Sequence, residues 1–285
     1  MSHALERFKW ARAGGAASKV PALQPVDSDV LAAWKNEYVA GDFGSNGMQL
    51  KDYSGNGWDL DVVNGFLSVP DIVPGRLTQF AWLTNHNSQP NPLQLYSGGG
   101  TARGLYRSGS CDVFDLVGDL TLTVRVAQSG QQGAFAAYQY IYSHGDFVGS
   151  KGASFGLGVE KDGYRFFVYW ERPLPTFTSQ FVYFSAGISQ RIRSSGFQHA
   201  FVSCVRDSTA KTLRLGVDGV YETQPYAQQA LPQTGRKVFV GATPSVSGAQ
   251  SDVMGFCGLV TNPVIRTATR TDAQLEIIRA KTMGL

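Results

Sequence analysis

Apolar and polar residues alternate along most of this chain in short runs punctuated by glycine, asparagine and aspartate. The cleanest run is Leu120-Thr-Leu-Thr-Val-Arg-Val126, where Leu120, Leu122, Val124 and Val126 fall on one side of an extended backbone and Thr121, Thr123 and Arg125 on the other. Such a pattern predicts a strand with one core face and one wet face. Residues 197–207, 213–217 and 220–222 read as three more strands, the last two joined at Asp218-Gly219. A tight two-residue turn needs positive φ at both positions, which aspartate tolerates and glycine adopts freely.

Further strands are expected at 58–63, 66–69, 79–84, 137–143, 154–159, 163–170, 180–184, 236–241 and 253–260. Asn64-Gly65 and Lys161-Asp-Gly163 supply turns between neighbours. The run Val30-Leu-Ala-Ala-Trp34 is too short for periodicity to separate strand from helix. A helix is predicted at the end of the chain. Thr271-Asp-Ala-Gln274 has the spacing of a capping box, and Leu275, Ile278 and Ile277 continue it as an apolar stripe that should lie on the sheets as a lid. Before Pro25, residues 5–10 could turn once as helix and residues 13–22 form a flexible connector, which places the start of the folded domain near Asp27.

Composition supports one large β domain: 285 residues, 43% hydrophobic and 12% aromatic, can bury a full core. There is no uninterrupted apolar run of membrane-spanning length, and the first residues lack the apolar centre of a secretion signal, so the expectation is a soluble protein made in a cytoplasm, without a membrane partner. The formal charge of +3 comes entirely from residues 1–26, where Arg7, Lys9, Arg12 and Lys19 face only Glu6. We read this arm as a tether through Arg7, Lys9, Trp10 and Arg12; without an aromatic-basic repeat, nucleic acid is not the expected partner. Cys111, Cys204 and Cys257 are odd in number and lie in or beside apolar runs, which favours buried free thiols.

Chemistry is sparse. Asp52-x-Ser54-x-Asn56-Gly57 opens like a calcium loop, but position twelve is Val63, so a helix-loop-helix site is excluded. Two readings stay open: a looser calcium site through Asp52, Ser54 and Asn56, or turn residues bonding their own backbone. No other cofactor is indicated. Paired catalytic carboxylates are not found, since Glu160 and Asp162 abut Gly163 in a turn and Glu171 stands alone, so no enzyme is expected. His86, His144 and His199 are scattered and suggest no zinc site. The aromatic strands are the remaining feature: Tyr138, Tyr140 and Tyr142 would share a face, as would Tyr164, Phe166 and Trp170, and Phe181 with Tyr183. We assign Phe166 and Phe181 to the core, and Tyr138, Tyr140, Tyr142, Trp170 and Tyr183 to a surface for stacking sugar rings or anchoring a partner.

Several of these stretches, in this order, resemble the laminin-G-like branch of the concanavalin A-like lectin and glucanase jelly rolls. Asp52-Tyr-Ser-Gly-Asn-Gly57 is similar to that family's early turn, and Gln198-His-Ala-Phe-Val202 to its Trp-His strand, with Phe197-Gln198 where tryptophan is usual. Leu213-Arg-Leu-Gly-Val-Asp-Gly219 resembles its Leu-x-Leu-x-Val-Asp-Gly hairpin, and Gly255-Phe-Cys-Gly-Leu-Val260, Pro263-Val-Ile-Arg266 and residues 271–278 its closing strands and helix. The resemblance implies an all-β, antiparallel two-sheet jelly-roll sandwich over residues 27–285, with the arm 1–26 before it and a short helix at its end. It also implies a menu of jobs: sugar binder, protein binder, glycosidase or structural protein of a phage particle. Our sequence reading is a noncatalytic structural or binding module. Its best form is a virion protein, in capsid decoration or tail, assembled in the host cytoplasm among other virion proteins and copies of itself. A carbohydrate-binding, lectin-like module with a glycan partner is the alternative, and a glycoside hydrolase comes last.

Overall fold

Among the described residues, every strand pairing in the computed structural model is antiparallel. The structure describes residues 27–38, 48–63, 67–70, 79–83, 104–106, 111–128, 138–145, 153–160, 163–170, 178–184, 200–226, 238–240 and 258–283. In chain order the strands are β1 (Val30–Tyr38), β2 (Met48–Asp52), β3 (Asp61–Val63), β4 (Leu67–Pro70), β5 (Gln79–Leu83), β6 (Gly104–Tyr106), β7 (Leu120–Gln128) and β8 (Tyr138–Gly145). They continue with β9 (Ala153–Glu160), β10 (Gly163–Trp170), β11 (Thr178–Phe184), β12 (Ala200–Asp207), β13 (Thr212–Val217), β14 (Val220–Pro225), β15 (Val238–Val240) and β16 (Gly258–Arg266), and α1 (Asp272–Met283) follows.

Two sheets result. A nine-stranded sheet runs β14-β13-β12-β7-β16-β1-β2, with β5 on β16 and β4 on β5; a seven-stranded sheet runs β11-β10-β9-β8-β15-β6-β3. The short apolar run at Val30 resolves as strand. Strand β16 spans what the sequence suggested as two strands: Gly258–Val260 pairs with β5 and Val264–Arg266 with β1, across a register shift where Asn262 has φ 48°. The Asp218-Gly219 hairpin forms as expected, with φ of 51° and 89°, and Glu160 pairs with Gly163 to join β9 and β10. Among the described residues no helix is long and apolar enough to cross a membrane.

The inner faces meet in an aromatic core. Trp34 of β1 stacks on Phe114 at 5.9 Å and approaches Tyr142 of the opposite sheet at 6.3 Å, while Tyr142 stacks on Phe155 at 5.2 Å. Around them lie Leu120, Leu122, Val124, Val126, Leu157, Tyr164, Phe166, Cys204, Leu213 and Leu215, all buried. Cys111 and Cys204 are free thiols in this interior, and burial pushes the Cys204 thiol well above its ordinary range. Cys257 lies outside the described residues, as do the turn at Asn64-Gly65 and the arm residues Arg7, Lys9, Trp10 and Arg12.

One expectation needs correcting. The face of β7 carrying Thr121, Thr123 and Arg125 is not wet: the three are 0%, 2% and 3% exposed. The chain after β16 folds back over this face. Thr121 donates to the Ala268 carbonyl at 2.7 Å, Arg266 donates to Thr123 Oγ1 at 3.4 Å, and Leu275 of α1 is fully enclosed. The capping box that starts α1 is present, with Thr271 N–H donating to Gln274 Oε1 at 2.9 Å and Gln274 N–H to Thr271 Oγ1 at 3.3 Å. The lid is therefore real, and it sits on the outer side of the nine-stranded sheet.

Candidate functional site

Asp52 is the hub of the loop in which calcium was one reading. Its Oδ1 accepts the backbone N–H groups of Ala33 at 3.0 Å and Ser54 at 2.9 Å, and its Oδ2 accepts Ser54 Oγ–H at 2.7 Å and Trp58 N–H at 3.0 Å. Asn56 donates to the carbonyls of Val30 and Leu31 at 3.3 and 2.9 Å, and Ser54 reaches the Leu31 carbonyl at 3.2 Å. Four donors already fill the carboxylate, and the Asn56 amide faces carbonyls with its nitrogen. These are turn residues that fasten the loop to β1; among the described residues no cluster of three His, Cys, Asp or Glu could hold a metal ion.

The aromatic surface is corrected in part. Tyr140 and Tyr142 are 7% and 1% exposed, so neither offers a platform. They do not share a face, because the register against β9 shifts between them: Tyr140 lies opposite Gly158 and Tyr142 opposite Leu157. Burial raises the Tyr142 phenol well above its ordinary range, helped by Cys111 and Asp115 nearby. Phe166 is core, as expected, and Tyr164 joins it. Tyr138 pairs with Glu160, Tyr183 with Arg165 and Trp170 with Thr178, which fixes their strand positions. The side chain of Phe181 lies outside the described set.

Two constellations with catalytic residue types are built into structure instead. His144 Nδ1 is 3.5 Å from Asp115 Oδ1, both enclosed, beside the equally buried Cys111 and Phe114. Gly152-Ala-Ser-Phe-Gly156 matches a nucleophile-elbow spacing, but Ser154 sits within β9 and not on the strand-to-helix turn that such an elbow requires.

The described side chains converge elsewhere. A cleft of about 350 Å³ opens over the outer face of β12, β13 and β14, walled by the segment leading into α1. Val205 and Asp207 come from β12, Thr212 and Arg214 from β13, Thr223 from β14, and Thr269, Arg270, Thr271 and Asp272 from the wall. Register explains the floor: Asp207 lies directly opposite Thr212, and Arg214 opposite Thr223. The Asp218-Gly219 turn sets that register, and Asp218 anchors it further, its Oδ1 accepting Phe201 N–H at 2.8 Å while its own N–H donates to the Phe201 carbonyl at 2.9 Å.

Both guanidinium groups in the cleft are paired with carboxylates. Arg214 Nη1 is 2.7 Å from Asp272 Oδ1, its Nη2 donates to the Arg270 carbonyl, and its guanidinium lies 5.5 Å from the centre of the Tyr221 ring. Arg270 Nη2 is held by Asp29 at 2.8 Å and faces Asp27 at 3.6 Å. Asp207 Oδ1 accepts Thr209 and Ala210 N–H at 2.9 and 2.7 Å to close the β12–β13 turn. Burial, then Glu276, push the Tyr221 phenol up to about 12. By contrast, among the described residues nothing bonds the hydroxyls of Thr212, Thr223 and Thr269, the second oxygen of Asp207, or the enclosed Nε of Arg214. Of these, the sequence reading covers only Asp207 and Arg214, as strand residues; continuing the Asp218-Gly219 hairpin one residue past Glu222 places Thr223 beside Arg214.

No protein-family model matches the chain, and no curated protein matches it. Solved structures do share the fold. The binding domain of Paraclostridial Mosquitocidal Protein 1 superposes with a TM-score of 0.59 at 11% identity, covering 91% of this chain and 53% of that one. The binding domain of botulinum neurotoxin DC, solved in complex with SialylT, gives 0.56 at 8% identity over 90% of this chain and 52% of that one. The same domain in complex with rat synaptotagmin II gives 0.56 at 10% identity with the same coverages. This chain spans about half the length of these structures, and at such identities the likeness establishes the fold: a two-sheet antiparallel sandwich of the kind found in binding domains.

Proposed function

We propose that this chain is a noncatalytic recognition module, which holds a ligand or partner surface without transforming it, and that the cleft over β12, β13 and β14 is its contact site. The observation that carries this reading is the division of labour inside the cleft. Arg214 and Arg270 are committed to ion pairs and Asp207 to a turn through one oxygen, while the hydroxyls of Thr212, Thr223 and Thr269 make no internal bond. General acid-base chemistry needs a titratable group able to reach the substrate proton, whereas recognition needs uncommitted donors and acceptors in fixed positions. The sandwich shared with binding domains supports the same conclusion. Surface plasmon resonance against glycan and protein arrays, followed by mass spectrometry of the recovered ligand, tests it: saturable binding with the ligand chemically unchanged is expected, and turnover would overturn the reading.

The placement of charge favours a finer version. All excess positive charge lies in residues 1–26, as suits an arm that docks on a larger particle, so the module is read as a virion component displayed by that tether, with other virion proteins and symmetric copies of itself as neighbours. Deleting residues 1–26 should abolish particle association and leave the melting temperature unchanged; particles that still carry the truncated protein would rule the tether out.

A further inference from the structure

We propose that in the free protein the cleft over β12, β13 and β14 is occupied by the chain's own basic arm, residues 1–26, through Arg7, Lys9 and Arg12. The occupancy rests on charge and connectivity and goes beyond the recognition reading, which it neither needs nor replaces.

Charge gives the sign of the occupant. The cleft and its rim set four carboxylates, Asp27, Asp29, Asp207 and Asp272, against two guanidinium groups, Arg214 and Arg270, a surplus of two negative charges. Lys211, beside Thr212 in the chain, does not line the cleft; its Nζ is turned onto the Tyr226 ring, 5.8 Å from the centre. Three of the acids have capacity left. Asp207 gives Oδ1 to its turn and keeps Oδ2 without a partner among the described residues, while the side chains of Asp27 and Asp272 are 66% and 57% exposed. An added cation gains these groups without breaking an existing pair. An added anion would have to displace Asp272 from Arg214 or Asp29 from Arg270.

Connectivity names the cation. All the excess positive charge of the chain lies in residues 1–26, and Arg7, Lys9 and Arg12 sit close together there. The arm joins the described fold at Asp27, whose carboxylate is 3.6 Å from Arg270 in the cleft wall. Arg12 precedes Asp27 by 15 residues, which span up to ~50 Å when extended, so the basic cluster can turn back onto the cleft from its own attachment point. Tethered in this way it acts at an effective concentration on the order of millimolar, and a contact of millimolar strength is then about half occupied. Such occupancy adds little to folding stability and acts on binding instead: a cleft filled half the time shows an outside ligand about half its intrinsic affinity. A particle that takes up Arg7, Lys9 and Arg12 would also open the cleft.

The test uses the isotope-labelled full chain carrying Cys257→Ser and a nitroxide attached at Ala13→Cys, next to Arg12; the buried Cys111 and Cys204 stay unlabelled. At low salt the amide signals of Thr212, Thr223, Thr269 and Asp272 should broaden selectively, and at 1 M salt, where the screening length falls to about 3 Å, the broadening should vanish. The combined variant Arg7→Gln, Lys9→Gln, Arg12→Gln should abolish it too. Asp27→Asn should weaken it about 1.5- to fivefold, the range for one exposed ion pair, in a variant where Asp29 still holds Arg270. Broadening that is absent, spread evenly over the surface, or indifferent to salt and to the charge variants would overturn the proposal. In a mixture of spin-labelled copies with isotope-labelled copies that lack the nitroxide, broadening of the cleft signals would assign the arm to a second molecule and overturn occupancy by its own chain. Recognition stands apart from all these outcomes, since the glycan and protein arrays decide it separately.

Discussion

The ring of Tyr221 lies against Gly216 of the neighbouring strand so closely that a Cβ at 216 would fall 2.4 Å from ring atoms Cδ1 and Cε1, and 2.6 Å from Ser203 Oγ. The two residues are directly paired across the hairpin. The glycine is needed for this approach, since Tyr221 is also held from above by Arg214 and, through its hydroxyl, by Glu276 at 3.4 Å.

Gly216→Ala should therefore lower stability by about 1–3 kcal/mol, the cost of overpacking a filled site, although alanine is ordinarily better than glycine in a strand. Urea denaturation of Gly216→Ala, Tyr221→Ala and the double variant checks it. The alanine at 216 should lose most of its penalty once the ring is gone, a non-additivity expected of residues in contact. A single Gly216→Ala variant as stable as the parent would show that the hairpin is not packed this way.

Asp52→Ala should cost about 2–4 kcal/mol, because hydrogen bonds to a charged acceptor each contribute about 1.5–3 kcal/mol and the freed N–H groups regain only part of this from water. Calcium should not rescue the variant, nor should it or a chelator move the melting temperature of the parent, because the carboxylate is already filled by donors from Ala33, Ser54 and Trp58. Differential scanning calorimetry with calcium and with chelator decides this; a rise in melting temperature with calcium would restore the metal reading.

Local features were legible in the chain wherever one segment dictates its own geometry. The Asp218-Gly219 turn, the Thr271–Gln274 cap and the alternation of β7 all depend on neighbours a few residues away. What failed depended on distant chain. The polar face of β7 looked wet because nothing near Thr121 announces that Ala268 will lie over it, 147 residues later. Tyr138, Tyr140 and Tyr142 were assigned one face by strict period two, and a register shift invisible in the sequence breaks that period between Tyr140 and Tyr142. The cleft was half legible. Its floor follows from the hairpin register, but its wall exists only because residues 269–272 return to that hairpin, and threonine is too ordinary in a strand to mark a site.

The thiols of Cys111 and Cys204 should be silent toward Ellman's reagent in the folded protein. Both are fully enclosed, and the buried Cys204 resists becoming the thiolate that reacts. In a Cys257→Ser background, reaction should proceed only at the rate of global unfolding and become immediate in denaturant. Fast reaction under native conditions would place at least one of the two at the surface.

Alkaline pH should unfold the protein through its tyrosines. Tyr142, Tyr164, Tyr221 and Tyr226 all have phenols raised above the ordinary value near 10, each chiefly by burial, and Tyr221 to about 12. A folded pKa above the unfolded one means the protonated phenol favours the fold; the contribution is complete below pH 10 and is lost as pH rises through the folded values. Arg206 acts with the opposite sign. Burial lowers it to about 10, well below the ordinary range of a guanidinium, so its enclosed charge penalises the fold up to that pH and the penalty is relieved above it. Arg206 still donates to the carbonyls of Leu116 and Gly118, so losing its proton also weakens that anchor. With four phenols against two lowered arginines, Arg206 and Arg266, the melting temperature should fall steeply between pH 10 and 12. Near-ultraviolet titration should then show one class of tyrosines ionising near pH 10 and a second ionising only as circular dichroism reports loss of the sheets. A single transition near pH 10 with the sheets intact would mean that these rings are not in the core.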